Sequence, residues 1–409
     1  MMLRSRNPNV MNQQAGQAAP TKPGNDHPVK RGAAKQLQEK DDKENVGGEP
    51  KAKKAVLSEL RNQISSGLLI DSVRKAKGTK GDVKRNSRRS NSSSEALQSV
   101  SEENKCTAAG DESIVVIEET AFDPCPEYDY DAENKGDPFN VPDYAFDIFR
   151  YYRSRESCFA VQNYFTKHAN INKDNRAVLI DWMIEVQETF ELNHETLYLA
   201  VKLVDLYLNN TSEEVSCDDL QLIACAAVFV ASKYDERQPP LVDDFLYVTG
   251  DKITREGLED MERNLLKTVC FDLGSPLSYR YLRRYAKATK VDMQLLTLGR
   301  YILETSLMFF EFAVASEAKV SAGAFLLACR MLDKKAEWTS VLHKYSGLSP
   351  QEVEPWCWEL NHMMHKATGV NQKLHTAYDK YSHEVFFQSA AVPLLPSKYD
   401  LSRALQTPE

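Results

Sequence analysis

An all-helical body behind a disordered tail is the fold class predicted by this sequence of 409 residues. Three observations predict it. From Pro142 onward, apolar residues recur at i, i+3 and i+4, the spacing of amphipathic helices. Two stretches, Leu220 to Ser232 and KVSAGAFLLACRMLD from Lys319, are small and apolar nearly all round, as an enclosed central helix is. Residues 1 to about 138 hold Gly, Pro, Ser, Asn, Lys and Glu in excess without periodicity, and bury too little apolar surface to offset the entropy of ordering.

The elements follow in order. NSRRSNSSSE, from Asn86, is low in complexity, and the acidic run from Ile117 to Pro138 reads as a linker. VPDYAFDIFRYYRSRE places Tyr144, Ile148, Tyr151 and Tyr152 at helical spacing, with Pro142 suited to a first turn. RAVLIDWMIEVQETF carries Val178, Leu179, Trp182, Met183 and Val186 on one stripe. A helix is expected from about Glu195 to Tyr207, then the enclosed helix at 220–232. The next helix has Thr254 as its cap and Leu258, Met261, Leu265 and Leu266 as its stripe. A second set begins around SPLSYRYLRRYAKAT. LLTLGRYILETSLMFFEFAVA is one long helix or a broken pair, and the second small-apolar helix follows it. Short helices come next, one with a Ser-Pro start at Ser349, and a last helix spans about Asn371 to Tyr381. The texture therefore repeats once, giving two helical domains of roughly 130 residues each.

Composition excludes several functions. The formal charge of -8 disfavours binding nucleic acid through the whole surface. The eight cysteines, from Cys106 to Cys357, include no C-x-x-C pair and suggest neither zinc ligands nor a disulfide framework. Cys225 and Cys329, among apolar neighbours, are expected to be buried thiols in a reducing compartment. MMLRSRNPNVMNQQ has no apolar core, so no signal peptide is expected. IACAAVFVA is about half the length that spans a bilayer. His362 and His365 are three apart, but no further ligand accompanies them, so no metal is expected. No Gly-rich phosphate loop or nucleophile elbow occurs, and neither a catalytic residue nor a cofactor is expected.

Three segments, RAVLIDWMIEVQ, ETLYLAVKLVDLYL and VASKYDERQPP, in this order and spacing, resemble the cyclin-box signature over about residues 140 to 395. QETFELNHETLYLAVKLVD is most similar to the third subclass of the mitotic B-type cyclins. The resemblance implies two tandem five-helix cyclin boxes, at 139–274 and 275–395, between a regulatory tail at 1–138 and a flexible C-terminus at 396–409. It implies a non-catalytic subunit that activates a cyclin-dependent Ser/Thr kinase at the G2/M transition and in mitosis, with a meiotic role left open. An ordinary B-type or A-type cyclin, a transcription-type cyclin-box adaptor and an all-helical enzyme are the alternatives. Such a subunit packs on a kinase helix that bears a glutamate and pushes it inward to pair with the ATP-orienting lysine.

The resemblance also implies residue roles. Lys233 and Glu262 match the family's kinase-contacting pair, with Phe271 and Leu273 on the same face; read as plain residues, the pair could be ordinary surface charges. Arg176 and Asp205 resemble a buried ion pair tying two helices together. Val178, Leu179, Trp182, Leu220 and Gln221 resemble a groove for Arg-x-Leu docking peptides, with an exposed Trp as anchor and Glu185 to receive the peptide's arginine. The bland alternative is that this stripe is helix core. Asn175 stands where the family often has Met, which weakens the apolar rim.

In the tail, Lys43, Glu44 and Asn45 form a KEN sequence, a tripeptide that also arises by chance; the cyclin resemblance implies that here it is a recognition signal for a mitotic ubiquitin ligase, the anaphase-promoting complex. KAVLSELRN resembles a destruction box, with Leu57 and Asn62 in place but Lys54 where Arg is usual; an ammonium does not replace a guanidinium's planar fork. The basic cluster Lys84, Arg85, Arg88 and Arg89 is a candidate nuclear-import signal, followed by serines whose phosphorylation would offset its charge. The nucleus is the expected location, with the cytoplasm left open, and no direct nucleic-acid or membrane partner is expected.

Overall fold

A computed structural model describes residues 123–333, 335–369 and 374–397. The KEN sequence, the Lys54-led box and the basic cluster at 84–89 lie outside the described residues, as does 398–409.

Twelve helices carry the architecture: α1 (Pro142–Arg155), α2 (Lys173–Thr189), α3 (His194–Asn210), α4 (Leu220–Asp235), α5 (Val242–Val248), α6 (Arg255–Thr268), α7 (Ser278–Ala288), α8 (Met293–Leu307), α9 (Glu317–Leu332), α10 (Ser340–Ser346), α11 (Pro350–Gly369) and α12 (Thr376–Ser382). No strand occurs among the described residues. After α1 come two sets of five, α2–α6 and α7–α11, each built round its enclosed helix. α4 packs against α3, α6 and α2, while α9 packs against α11, α7 and α8. In both, alanine, serine and cysteine let neighbouring helices approach closely, and α9 adds a glycine. Gly323 shows the limit: a Cβ there would sit 2.6 Å from the Trp356 Cβ of α11.

The caps follow local chemistry. Asn172 and Asn175 form a reciprocal capping box at the start of α2. The Thr254 hydroxyl accepts from Gly257 N at 3.0 Å, as the threonine predicted. Asp292 caps α8 through Leu295 N, and Gly347, at φ +69°, closes α10 in the left-handed conformation.

Two expectations are corrected, those for the acidic run and for Cys329, and two points left open in the sequence are decided. The acidic run is not a free linker: residues 123–138, including a helical turn at Tyr130–Glu133, are folded onto the second box, so the boundary at 138 falls too late. Of the two readings of 295–315 the broken pair holds, with α8 ending at Leu307 and a single turn at Phe310–Ala313. On α1, Tyr144 and Tyr151 are exposed, and the helix seats itself through Ala145, Phe149 and Tyr152. Cys225 is buried, but Cys329 only partly.

Candidate functional site

Lys233 and Glu262 come from neighbouring helices. The enclosed α4 emerges from the core at Ser232, so Lys233, in its last turn, reaches solvent. α6 packs on α4 and carries Glu262 on the flank of its Leu258 and Leu265 stripe. The Lys233 ammonium donates to the Glu262 carboxylate, with the side chains 39% and 17% exposed. It also lies 3.9 Å from the Phe229 ring centroid, a cation–π contact. An accessible pair like this adds little stability by itself, and both members keep hydrogen-bonding capacity for a partner.

Beyond α6 the chain turns through Phe271, at φ +58° with its ring 66% exposed. Positive φ is costly for a bulky residue. Here it is held by the bond from Phe271 N to the Leu266 carbonyl, 2.8 Å. Leu273 is half-buried against the core and presents less of itself than Phe271 does. Phe139, before α1, and Tyr144, Phe146 and Tyr151 on it are exposed and add further apolar surface.

Arg176 and Asp205 form a buried bidentate pair between α2 and α3, with Nε and Nη2 donating at 2.7 Å each. Tyr164 donates to the same carboxylate at 2.8 Å, and burial with that carboxylate pushes its phenol pKa up. The third arm was not foreseen: Arg176 Nη1 donates to the Leu307 carbonyl at the end of α8, joining the two boxes.

The docking candidates sit on α2 and at the start of α4, which pack together. Val178, Glu185 and Gln221 are half-buried, whereas Leu179 and Leu220 are buried. Trp182 is 3% exposed, not the exposed anchor expected, because its large ring belongs to the core that α2 builds with its neighbours. Its Nε1 is buried without a hydrogen-bond acceptor among the described residues. No cluster of metal-ligating side chains occurs among the described residues, and no described helix is long and apolar enough to cross a membrane.

Residues 147–274 match the cyclin N-terminal domain and residues 276–395 the cyclin C-terminal domain. The chain belongs to the cyclin family. A Caenorhabditis elegans relative, G2/mitotic-specific cyclin-B3, is 54% identical over 276 residues, 67% of this chain and 71% of that protein. The Drosophila melanogaster protein of the same name is 46% identical over 283 residues, 67% of this chain and 48% of its own length. The Gallus gallus one is 46% identical over 263 residues, 64% of each. The cyclin thus spans about half of the Drosophila relative. Among solved structures, a viral cyclin from herpesvirus saimiri aligns at 23% identity and a TM-score of 0.46, over 53% of this chain and 97% of that one. Cyclins are regulatory subunits of protein kinases and not themselves catalysts, which fixes the broad class of this chain.

Proposed function

We propose that this cyclin binds and activates a cyclin-dependent Ser/Thr kinase of the G2/M transition through the face formed by Lys233, Glu262 and Phe271. The observation that carries this reading is the half-exposed Lys233–Glu262 pair, joined at the edge of the first box and followed by a bulky residue held outward at positive φ. An ammonium offers donors to backbone carbonyls and a carboxylate offers acceptors to amides, so the two fit the end and flank of a partner helix. Phe271 adds apolar surface, and Leu273 supports it from the core side. Catalysis stays with the kinase: the cyclin's contribution is to hold the kinase helix that carries the glutamate inward.

Substrate docking is proposed for the α2–α4 surface. Val178, Glu185 and Gln221 form its accessible part, with Leu179, Trp182 and Leu220 as its floor. The unpaired indole N–H of Trp182 favours this reading, since a peptide carbonyl would satisfy it after a small shift of the ring. Mitotic timing, with meiosis open, destruction by the anaphase-promoting complex through Lys43–Asn45 and the Lys54-led box, and nuclear import through 84–89 belong to the same proposal. They rest on sequence resemblance.

The test is co-purification of the full chain with cell-cycle kinases, followed by phosphorylation of a histone substrate, wild type beside Lys233→Ala/Glu262→Ala. Activation by wild type and its loss in a double variant of unchanged melting temperature is expected. Binding without activation, or an unaffected double variant, would overturn the assignment of this face.

A further inference from the structure

The segment ahead of α1 makes a set of long-range contacts that the kinase-binding reading does not use. The Lys344 ammonium, on α10, spends its donors on one short stretch: the Asp123 carboxylate at 2.7 Å and the carbonyls of Cys125 and Tyr128 at 3.0 and 2.8 Å. Tyr128 donates to the Ala288 carbonyl at the end of α7, 3.0 Å. Tyr130 N donates to the Tyr345 hydroxyl at 2.7 Å, and the two rings meet edge to face. Asp131 receives both terminal nitrogens of Arg284, and Glu133 pairs with Lys290 at 2.5 Å. Carboxylates on one side meet cations on the other, around a small apolar nucleus of Tyr130, Ala288 and Tyr345.

Arg284 links this strap to α1. Its guanidinium lies over the rings of Tyr345 (4.8 Å), Phe149 (5.4 Å) and Tyr130 (5.9 Å), which belong to α10, α1 and the strap. One turn later on α7, Lys287 donates to Asn140 at 2.6 Å, just before α1 begins. The buried face of α1 rests on the same helix, through Phe149 on Tyr281 and the Tyr152 hydroxyl accepting from Arg280.

We infer that residues 123–133 are an intramolecular clasp: an acidic, tyrosine-bearing segment bound by the second box that sets the position of α1. Its key contacts are Asp131–Arg284 and Lys344 with the Asp123–Tyr128 stretch. Asp131, Arg284 and Lys344 are positioning residues. They leave Tyr144, Phe146 and Tyr151 of α1 facing outward as a fixed apolar surface. The clasp stands on the contacts above; its consequence for partner binding rests on the kinase reading.

The experiment uses the full chain with Asp131→Asn and, separately, Lys344→Met. The first alters only the strap, and the second removes a peripheral ammonium rather than a core side chain. Hydrogen exchange of α1, protease cutting within 123–141 and affinity for the kinase are measured beside the melting temperature. Both variants are expected to raise exchange in α1 and cutting of the strap about tenfold, while α4 and α9 stay protected. Kinase affinity falls severalfold at nearly constant melting temperature. Faster cutting with unchanged exchange in α1, or no change in either, would overturn the clasp. Raised α1 exchange with unaltered kinase affinity would overturn its role in partner binding. If wild type binds no kinase, the functional reading fails, and α1 exchange still decides the clasp.

Discussion

At the scale of single residues, the same kinds of charge do two different jobs. Lys233 and Glu262 are accessible, so their mutual attraction is screened and contributes little to folding. Arg176 and Asp205 are shut away from water, and removing either leaves an uncompensated buried charge. Arg176→Ala is therefore expected to cost about 3–5 kcal/mol, whereas Tyr164→Phe, which takes away one donor to Asp205, should cost only about 1 kcal/mol. Urea melts of the two variants beside wild type check the ranking; equal costs would mean that Arg176 is not the keystone of the cluster. It was the family resemblance that suggested Arg176 with Asp205; residue types alone left a surface pair equally open. They could not show the third arm to Leu307, since a backbone carbonyl leaves no mark in a sequence. Trp182 errs in the opposite direction: a tryptophan on an amphipathic stripe looks alike whether it anchors a ligand or fills a core, and only the packed neighbours decide.

At the scale of elements, the small-apolar texture of α4 and α9 was the most legible feature, because a helix without a polar face has nowhere to go but the centre. Less legible was which residue enforces closeness. Gly323 and Gly136 are the same residue type, but a Cβ at 323 would strike Trp356 and the Cys357 backbone, while one at 136 would meet nothing within 4 Å. Gly323→Ala should force α9 and α11 apart and cost about 1–3 kcal/mol. Gly136→Ala, the control, should stay within about 0.5 kcal/mol of wild type. Thermal melts of both decide it, and a neutral Gly323→Ala would show that α11 can shift without penalty. Which of the α1 aromatics are covered was illegible for a related reason. Helical periodicity says that one face is apolar but not that the face is covered, and a helix that presents aromatics to a partner has the same pattern as one that buries them.

At the scale of the whole molecule, the two boxes share their polar interior. Glu156, just past α1, caps α9 by accepting from Ser316 Oγ and Ala318 N. Asp181 on α2 accepts from the first residue of α12, and Lys202 of α3 pairs with Glu317 of α9. Between the boxes lies Glu304 of α8, wholly buried, accepting from Lys380 Nζ at 2.6 Å and Tyr381 Oη at 2.8 Å, with His194 Nδ1 of α3 3.6 Å away. Lys380 also donates to Gln187 of α2 at 2.7 Å, so one ammonium joins three helices. Repetition of texture revealed the two boxes in the sequence; the shared network stayed hidden, because its members are spread from 187 to 381 and have no common spacing. Burial works to raise the pKa of Glu304, but the Lys380 charge, the nearby His194 ring and the hydrogen bond from Lys380 outweigh it and hold the carboxyl down at about 2. A folded pKa below the unfolded value near 4.5 means that this contribution to stability is complete above about pH 4.5 and is lost as the pH falls toward 2. The slope comes from the unfolded chain taking up its proton first, and over that window it amounts to roughly 3 kcal/mol. In Glu304→Gln/Lys380→Met both charges are gone, so no buried cation is stranded, and the acid limb of a stability-against-pH curve should be shallower by about that amount. Because the network spans both boxes, wild type should lose them in one calorimetric transition throughout the window. Two separated transitions, or acid limbs of equal slope in wild type and the double variant, would show that Glu304 does not couple the boxes.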